Sequence, residues 1–204
     1  MDPEHPMLKR AYGLSGKDEA ERLYDDWAGT YDTDTADGFG YVAPEHAARR
    51  LAGLAAPDAA VLDAGCGTGL VGAELAALGF TTIDGIDLSQ GMLDVARAKG
   101  AYRELRKADL TERLPFADGA YDATICVGTF TEGHVGPEAL DELVRVTRGH
   151  LVLTVLARIW EPLGYRAHVE GLAAAGTATL IEADEQPYHL VEGLNCRRVV
   201  LRAA

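Results

Sequence analysis

The stretch VLDAGCGTGL, residues 61–70, decides the fold of this chain. An apolar run ends at Asp63, and glycines follow at positions 65, 67 and 69. A dinucleotide fingerprint needs its third glycine at position 70, where this chain has Leu70. The stretch also lacks the Lys-Ser/Thr ending of a triphosphate-binding loop. It therefore predicts a strand, a tight turn and a helix whose N-terminus faces an anionic ligand group.

Short apolar segments and amphipathic segments alternate after this stretch. The predicted strands are 59–64, 81–87, 102–109, 121–128 and 150–156, and the predicted helices are 69–79, 89–100 and 137–148. Such alternation predicts a parallel sheet with helices on both faces. A further helix near 163–175 precedes two strands, 177–185 and 195–203, which lie close enough in sequence to pair antiparallel at the sheet edge.

The segment before residue 59 has a different character. Residues 17–31 place Leu23, Trp27 and Tyr31 on one stripe of an amphipathic helix. The stretch at 32–44 is rich in Asp, Thr and Gly and predicts a mobile loop. A helix is expected from Pro44 to about residue 56.

Bulk properties exclude several classes of function. The chain has 204 residues and a formal charge of −13, which disfavours binding to a nucleic-acid backbone. No stretch has the length of a membrane span, and the start MDPEHPMLKR lacks the apolar core of a signal peptide. The three cysteines are odd in number and widely spaced, which favours reduced buried thiols over a disulfide framework or a zinc cluster. We therefore expect a cytoplasmic protein without a metal site that binds neither nucleic acid nor membrane.

Four motifs occur in the order typical of one enzyme family. After the acidic residue and G-x-G-x-G at 63–69 come GIDLS at 85–89, ADL at 108–110 and LPFADGAYDATICVGTF at 114–130. In these four motifs and their order, the chain resembles the class I S-adenosylmethionine-dependent methyltransferases. YDDWAGTYDTD at 24–34, GYVAP at 40–44 and VGTFTEGHV at 127–135 are most similar to the methyltransferase-like family that includes the protein of the Williams-Beuren syndrome region.

This resemblance implies an α/β fold of a definite kind. We expect a Rossmann-like, doubly wound, seven-stranded sheet, mostly parallel, with an antiparallel C-terminal hairpin strand. One methyltransferase domain, 1–204, would comprise an N-terminal lid segment (residues 1–57) and a cofactor-binding core (58–204). We expect it to act as a monomer or homodimer.

The resemblance also implies S-adenosyl-L-methionine as cofactor and S-adenosyl-L-homocysteine as product. Asp63 would receive the ammonium, the glycine loop the carboxylate, Asp87 the ribose and Asp109 the adenine amino group. The full set of expected cofactor-binding residues is Asp63, Gly65, Cys66, Gly67, Gly69, Asp87, Leu88, Met92, Asp109, Leu110, Val127, Trp27 and Tyr31. Taken singly, each aspartate is also explained as a helix cap or an Asx-turn.

Two residues are candidates for catalysis. His134 titrates in the range useful for a general base, and Tyr31 would offer its ring or hydroxyl to the sulfonium. Capping or solvent contact is an equally good explanation for His134, and core packing is the better one for Trp27. Phe39 and Tyr41 are candidates for gating residues.

The acceptor is the least defined part of the prediction. We expect a methyl group to pass to the oxygen, nitrogen or carbon of a small molecule. The alternatives are a protein methyltransferase and a cofactor-binding regulatory module without turnover. Glu132 would bind a cationic acceptor or lie on the surface. Tyr188 and His189 would lean over the cleft or, as the better explanation, lie at the sheet edge. The acidic run between residues 18 and 45 is typical of a solvated face or would favour a cationic or neutral acceptor.

Overall fold

The computed structural model describes residues 5–14 and 16–204, so residues 1–4 of the predicted start lie outside the described residues. The strands are β1 Ala60–Ala64, β2 Thr82–Asp87, β3 Glu104–Lys107, β4 Tyr121–Phe130, β5 Thr147–Leu156, β6 Ala178–His189 and β7 Leu194–Ala203. The α-helices are α1 Pro6–Tyr12, α2 Lys17–Trp27, α3 Tyr31–Thr33, α4 Ala43–Ala52, α5 Leu70–Ala77, α6 Gln90–Lys99, α7 Ala139–Val146 and α8 Tyr165–Ala174.

The seven strands form one sheet in the order β3-β2-β1-β4-β5-β7-β6. All pairs from β3 to β5 are parallel, whereas β7 is antiparallel to both of its neighbours, β5 and β6. The predicted fold class is therefore confirmed. β7 runs antiparallel because only residues 190–193 connect it to β6, which is too short for a crossover.

The chain order reverses between β1 and β4, whose successors extend the sheet in opposite directions. Open α/β sheets bind ligands outside the carboxyl ends of their strands at such a point. Buried residues make up most of β1 and β4, as expected for strands covered on both faces. The sheet thus presents the end of β1, with Asp63, next to the end of β4.

The N-terminal lid segment forms a small apolar cluster of its own. Its buried members are Leu8, Ala11, Leu14, Ala20, Leu23, Trp27 and Phe39. The predicted stripe is only partly correct, because α2 ends at Trp27 and Tyr31 begins α3. The helix α1 was not expected.

The predicted loop at 32–44 is wrong as secondary structure. Residues Asp34–Phe39 form a π-helix, and α4 already begins at Ala43. Asp34 fixes this turn because its carboxylate accepts hydrogen bonds from the Trp27 indole at 2.7 Å and from the Thr30 hydroxyl at 3.0 Å. A polar, glycine-containing sequence is helical here because side chains supply the local hydrogen bonds.

Two strand ends differ from the prediction by more than two residues. β5 begins at Thr147, and β6 continues to His189. β6 is longer because its last residues, Tyr188 and His189, are buried, and His189 makes a β-bridge with Tyr41 of the N-terminal lid segment.

Candidate active site

A cavity of about 410 Å³ lies at the carboxyl ends of β1, β2 and β4, with α2 on its opposite side. Its walls are Gly16, Lys17, Ala20, Tyr24, Tyr31, Gly65, Gly67, Asp87, Leu88, Met92, Ala108, Asp109, Leu110, Thr111, Val127, Gly128, Thr129, Gly133, His134 and Val135. Its volume lies within the range of small-molecule and cofactor sites. Ten of the fourteen predicted site residues are therefore brought together around it.

The other four lie nearby but off this wall. Asp63 is buried beneath it, and Cys66 lines a smaller pocket of about 40 Å³ on the other side of the glycine loop. Gly69 packs against Tyr102, whose ring carbon would lie 2.9 Å from an added Cβ. Trp27 is buried in the cluster of the N-terminal lid segment, in agreement with the core-packing interpretation.

The glycine loop turns three times through the left-handed region, at Gly65, Gly67 and Gly69. The amides of Gly65 and Cys66 both donate to the Ile86 carbonyl, and the Gly69 amide donates to the Cys66 carbonyl. The Gly67 amide donates to Asp87. The structure thus commits these four amides to internal acceptors, and the expectation that they are open to a ligand carboxylate is corrected.

Asp63 is fully buried at the end of β1. Its Oδ2 accepts a 2.6 Å hydrogen bond from the Tyr102 hydroxyl, while its Oδ1 has no hydrogen-bond partner among the described residues. Burial raises the pKa of the carboxyl to about 7, although the Tyr102 bond opposes this shift. An unpartnered buried acceptor beside the glycine loop fits an ammonium group, reached directly or through water.

This burial predicts a pH-dependent stability of the ligand-free protein. Between pH 3.8, the ordinary pKa of an aspartate, and about pH 7, the folded state holds a proton on Asp63 that the unfolded state has lost. The free energy of unfolding therefore falls as pH rises through this window, by at most about 4 kcal/mol. We expect Asp63→Asn to flatten the fall, measured by urea unfolding of the ligand-free protein at several pH values. A slope in Asp63→Asn equal to that of the wild type would contradict this assignment, and Asp94→Asn on the exposed face of α6 is the matched control.

Asp87 ends β2 and connects the glycine loop to the start of α6. Its Oδ2 accepts from the Gly67 amide at 2.8 Å and its Oδ1 from the Ser89 amide at 2.9 Å. Burial raises the pKa of this carboxyl, and the two backbone bonds counter that rise. Each oxygen retains a second lone pair, so the carboxylate is able to accept a diol as well.

Asp109 follows β3 and makes the Asx-turn that was one of its two explanations, together with an ion pair that was not predicted. Its Oδ1 accepts from the amide and hydroxyl of Thr111, which is the Asx-turn. Its Oδ2 pairs with Lys17 of α2 at 3.1 Å, and Lys17 also pairs with Glu112. An adenine amino group bound as predicted would therefore share the Asp109 carboxylate with Lys17 of the N-terminal lid segment.

Several acidic residues of the N-terminal run bind this segment to the core. Asp25 accepts from the Ser89 hydroxyl at 2.5 Å and the Gly91 amide at 2.9 Å. Asp32 accepts from the Thr68 hydroxyl and from Lys99, each at 2.5 Å, and Glu21 pairs with Lys107. These carboxylates are therefore docking contacts to β3, α6 and the glycine loop rather than a merely solvated face.

His134 lies on the wall of the cavity, in the loop after β4. Its Nδ1 is 2.7 Å from the Glu132 carbonyl oxygen, and its Nε2 is 2.7 Å from the Tyr24 hydroxyl. A carbonyl oxygen only accepts, so Nδ1 carries the proton and Nε2 accepts from Tyr24. Burial lowers the pKa of His134, so the ring is neutral at pH 7.

Tyr24 lines the cavity although the sequence did not indicate it as a site residue. It directly follows Leu23 of the predicted stripe and begins the quoted YDDWAGTYDTD motif, which was the available signal. Tyr31 also lines the cavity, and burial raises the pKa of its hydroxyl. Both tyrosines are protonated at pH 7.

The remaining candidates do not line the cavity. Phe39 is 1% exposed and packs on Trp27 and His189, so it is a core residue rather than a gate. Tyr188 and His189 end β6, the edge strand of the sheet, as predicted, and both are buried there against Tyr41. Glu132 pairs with Arg158, an ion pair that was not considered.

Cys66, Cys126 and Cys196 are buried free thiols, as predicted. Within residues 5–14 and 16–204, no group of three or more His, Cys, Asp or Glu side chains has the arrangement of a metal site. A search of the same part of the chain also finds no helix with the length and hydropathy of a membrane span.

Comparison with known proteins identifies relatives of this chain. Residues 61–150 match the model of the family described as "Methyltransferase domain". The human "Methyltransferase-like protein 27" is 38% identical over 167 residues, which cover 80% of this chain and 68% of the human protein.

Two solved structures show the same fold at lower identity. A TehB-like SAM-dependent methyltransferase from Corynebacterium glutamicum has a TM-score of 0.67 and 23% identity, covering 90% of this chain and 99% of its own. The magnesium protoporphyrin IX methyltransferase from Synechocystis PCC 6803, solved with bound SAM, has a TM-score of 0.59 and 19% identity, covering 97% and 90%. With the ordered motifs, the sheet topology and the identity to the human relative, the chain belongs to the class I S-adenosylmethionine-dependent methyltransferases.

Proposed function

We propose that this methyltransferase transfers the methyl group to a small-molecule acceptor. The observation that carries the proposal is the position of the cavity beneath α2, where Tyr24, Gly133 and His134 line the side that we assign to the acceptor. A protein substrate would need a cleft open to a side chain on a large partner. The charge of −13 also disfavours a nucleic-acid acceptor.

The residues around the cavity have distinct proposed roles toward the cofactor. Asp63 would hold the ammonium, Asp87 the ribose diol and Asp109 the adenine amino group. Leu88, Met92, Leu110 and Val127 supply apolar contacts, and their position on the wall supports this use. The cofactor supplies a methyl group on a positively charged sulfur, and the ring of Tyr31 offers a face or hydroxyl to that charge.

The chain itself contributes enclosure and a neutral base. Contacts from Lys17, Asp25 and Asp32 hold the N-terminal lid segment against the core, and we expect this segment to limit access of water to the reacting atoms. His134 presents the Nε2 lone pair inside the cavity at neutral pH. Proximity, exclusion of water and a base are the requirements of in-line methyl transfer to a weakly acidic group.

The test is transfer of labelled methyl groups to extract from the source cells. The purified protein is incubated with methyl-labelled S-adenosylmethionine, and the label is divided among small-molecule, protein and nucleic-acid fractions. We expect label in the small-molecule fraction, lost with Asp87→Ala and retained with Asp94→Ala. Label in protein or nucleic acid would reject the proposed acceptor class. Cofactor binding without any transfer would favour a regulatory module.

A further inference from the structure

Tyr24 and His134 form a hydrogen-bonded pair across the acceptor side of the cavity. They are 110 residues apart in sequence and come from different parts of the fold, α2 and the loop after β4. Both side chains line the cavity, so each is accessible to a bound acceptor. The contact exists only while the N-terminal lid segment lies against the core.

The hydrogen bonds of the pair have one consistent direction. The Glu132 carbonyl accepts from His134 Nδ1, which leaves Nε2 as the acceptor for the Tyr24 hydroxyl. The Thr131 Oγ1 atom lies 2.9 Å from the same Nδ1. Burial raises the pKa of Tyr24 well above its usual value, so the hydroxyl remains a donor. The Nε2 lone pair of His134 thus accepts a hydrogen bond from the Tyr24 hydroxyl.

We propose that Tyr24 relays the acceptor proton to His134, and that the acceptor is therefore an un-ionised O–H or N–H group. This inference rests on the proposed methyl transfer to a small molecule. An ionised carboxylate has already lost its proton and has no use for the relay. The inference narrows the acceptor class to hydroxyl or N–H compounds.

The step balances in atoms and charge. The acceptor atom bonds to the methyl carbon as the carbon–sulfur bond breaks, and that electron pair stays on sulfur. The acceptor proton passes to Tyr24 Oη while the Tyr24 proton passes to His134 Nε2. The cavity exchanges a sulfonium charge for an imidazolium charge, so its net charge is unchanged. While the sulfonium is bound, it opposes protonation of His134 and keeps the base neutral until transfer.

The ionisable groups around His134 leave Tyr24 of the N-terminal lid segment as the hydrogen-bond partner of its Nε2. The ionisable groups that share its cavity are Lys17, Tyr24 and Tyr31 from this segment and Asp87 and Asp109 from the strand ends. Lys17 is paired with Asp109, and on the histidine's own loop Glu132 is paired with Arg158. Leu14 packs so closely on Gly133 that an added Cβ would lie 2.7 Å from the Leu14 carbonyl oxygen. Tyr24 is therefore the group that contacts the lone pair.

The first test needs no acceptor. Nitrogen-15 NMR of the histidine rings is recorded with S-adenosylhomocysteine bound, and His134→Gln assigns the His134 signals. We expect a neutral Nδ1–H tautomer in the wild type. Tyr24→Phe should move the Nε2 resonance toward that of a free imidazole nitrogen and leave Nδ1 in place. Tyr121→Phe, which removes a buried hydroxyl bond to Asp84 at the opposite end of β4, should move neither. An Nε2–H tautomer in the wild type would overturn the relay.

The second test measures transfer to the small-molecule fraction of the extract with saturating labelled cofactor. We expect about a hundred-fold loss of rate in His134→Gln, at least about tenfold in Tyr24→Phe, and no further loss in the double variant, because the two groups act as a unit. Cofactor affinity should stay within about threefold of wild type. A wild-type rate in Tyr24→Phe, or losses that multiply, would overturn the relay while leaving methyl transfer established.

The chemical nature of the product decides the acceptor class. Mild alkali releases labelled methanol from methyl esters but leaves methyl ethers and methylamines intact. We expect alkali-stable label. Alkali-labile label would identify a carboxylate acceptor and overturn the inference, although the proposed function would stand. Absence of transfer by the wild type would reject both.

Discussion

Asp87→Ala is expected to weaken binding of S-adenosylmethionine by about a hundredfold or more. The substitution removes two proposed charge-assisted hydrogen bonds to the ribose, each contributing about 1.5–3 kcal/mol. It also removes the acceptor for the Gly67 and Ser89 amides, which hold the glycine loop and the start of α6 in place. Isothermal titration calorimetry with the cofactor and with S-adenosylhomocysteine measures the loss.

Asp87→Asn separates these two contributions. Its amide oxygen still accepts one backbone bond, while the negative charge and one acceptor are lost. We expect an affinity between those of the wild type and Asp87→Ala. Asp94→Ala, which removes an exposed carboxylate paired with Arg97, should leave affinity unchanged. Affinity of Asp87→Ala within about threefold of wild type would show that the ribose is bound elsewhere.

Gly65→Ala is expected to cause the largest loss of stability, about 3 kcal/mol or more. An added Cβ would lie 2.1 Å from Thr129 Oγ1, and φ is +72° at this position. A left-handed backbone alone costs an alanine about 1–2 kcal/mol. The overlap with Thr129 adds the cost of moving a side chain in a packed interior. Urea unfolding of the ligand-free protein measures the total.

Two further variants divide that cost into its parts. Gly176→Ala has the same φ of +72° with open space around the Cβ, so it should show the backbone cost alone. Thr129→Ala in the Gly65→Ala background removes the Oγ1 overlap and leaves the nearest carbon at 3.3 Å. We expect it to recover the steric part, and failure to recover would mean that the loop backbone itself has shifted.

Gly67 provides the complementary case in the same loop. It lines the cavity, its φ is +53°, and nothing lies within 4 Å of an added Cβ. Gly67→Ala should therefore cost only the backbone term in stability, yet place a methyl group in the cofactor space. Both glycines line the cavity, but an added Cβ meets Thr129 at Gly65 and open space at Gly67. We therefore expect the Gly65 substitution to reduce stability more and the Gly67 substitution to act mainly on ligand binding.

The acidic run shows where composition misleads. Counted in the sequence, the carboxylates between residues 18 and 45 indicate a solvated or cation-steering surface. In the fold, Asp25 and Asp32 accept hydrogen bonds from the glycine loop and the start of α6. Sequence gives the number of charges, whereas their partners are set by how α2 and α3 pack on the core.

The sequence by itself determined the sheet and the carboxylates at its edge. The spacing of glycines at 65, 67 and 69, the aspartates at 63, 87 and 109 and the alternation of strands and helices are local signals. Each depends on backbone conformation or on periodicity within about ten residues. Such signals can be interpreted without knowing which distant residues each one contacts. Strand polarity alone brings the carboxyl ends of parallel strands to one edge of the sheet.

Only the tertiary structure decided which side chains meet at this edge. Tyr24 meets His134 across 110 residues, Trp27 turns into a buried cluster, and the amides of the glycine loop donate to Ile86, Cys66 and Asp87. None of these contacts has a local signature, since a hydrogen bond between distant residues depends on the docking of whole elements. The fold class was therefore predictable from the chain, while the hydrogen bond between Tyr24 and His134 in the cavity was not.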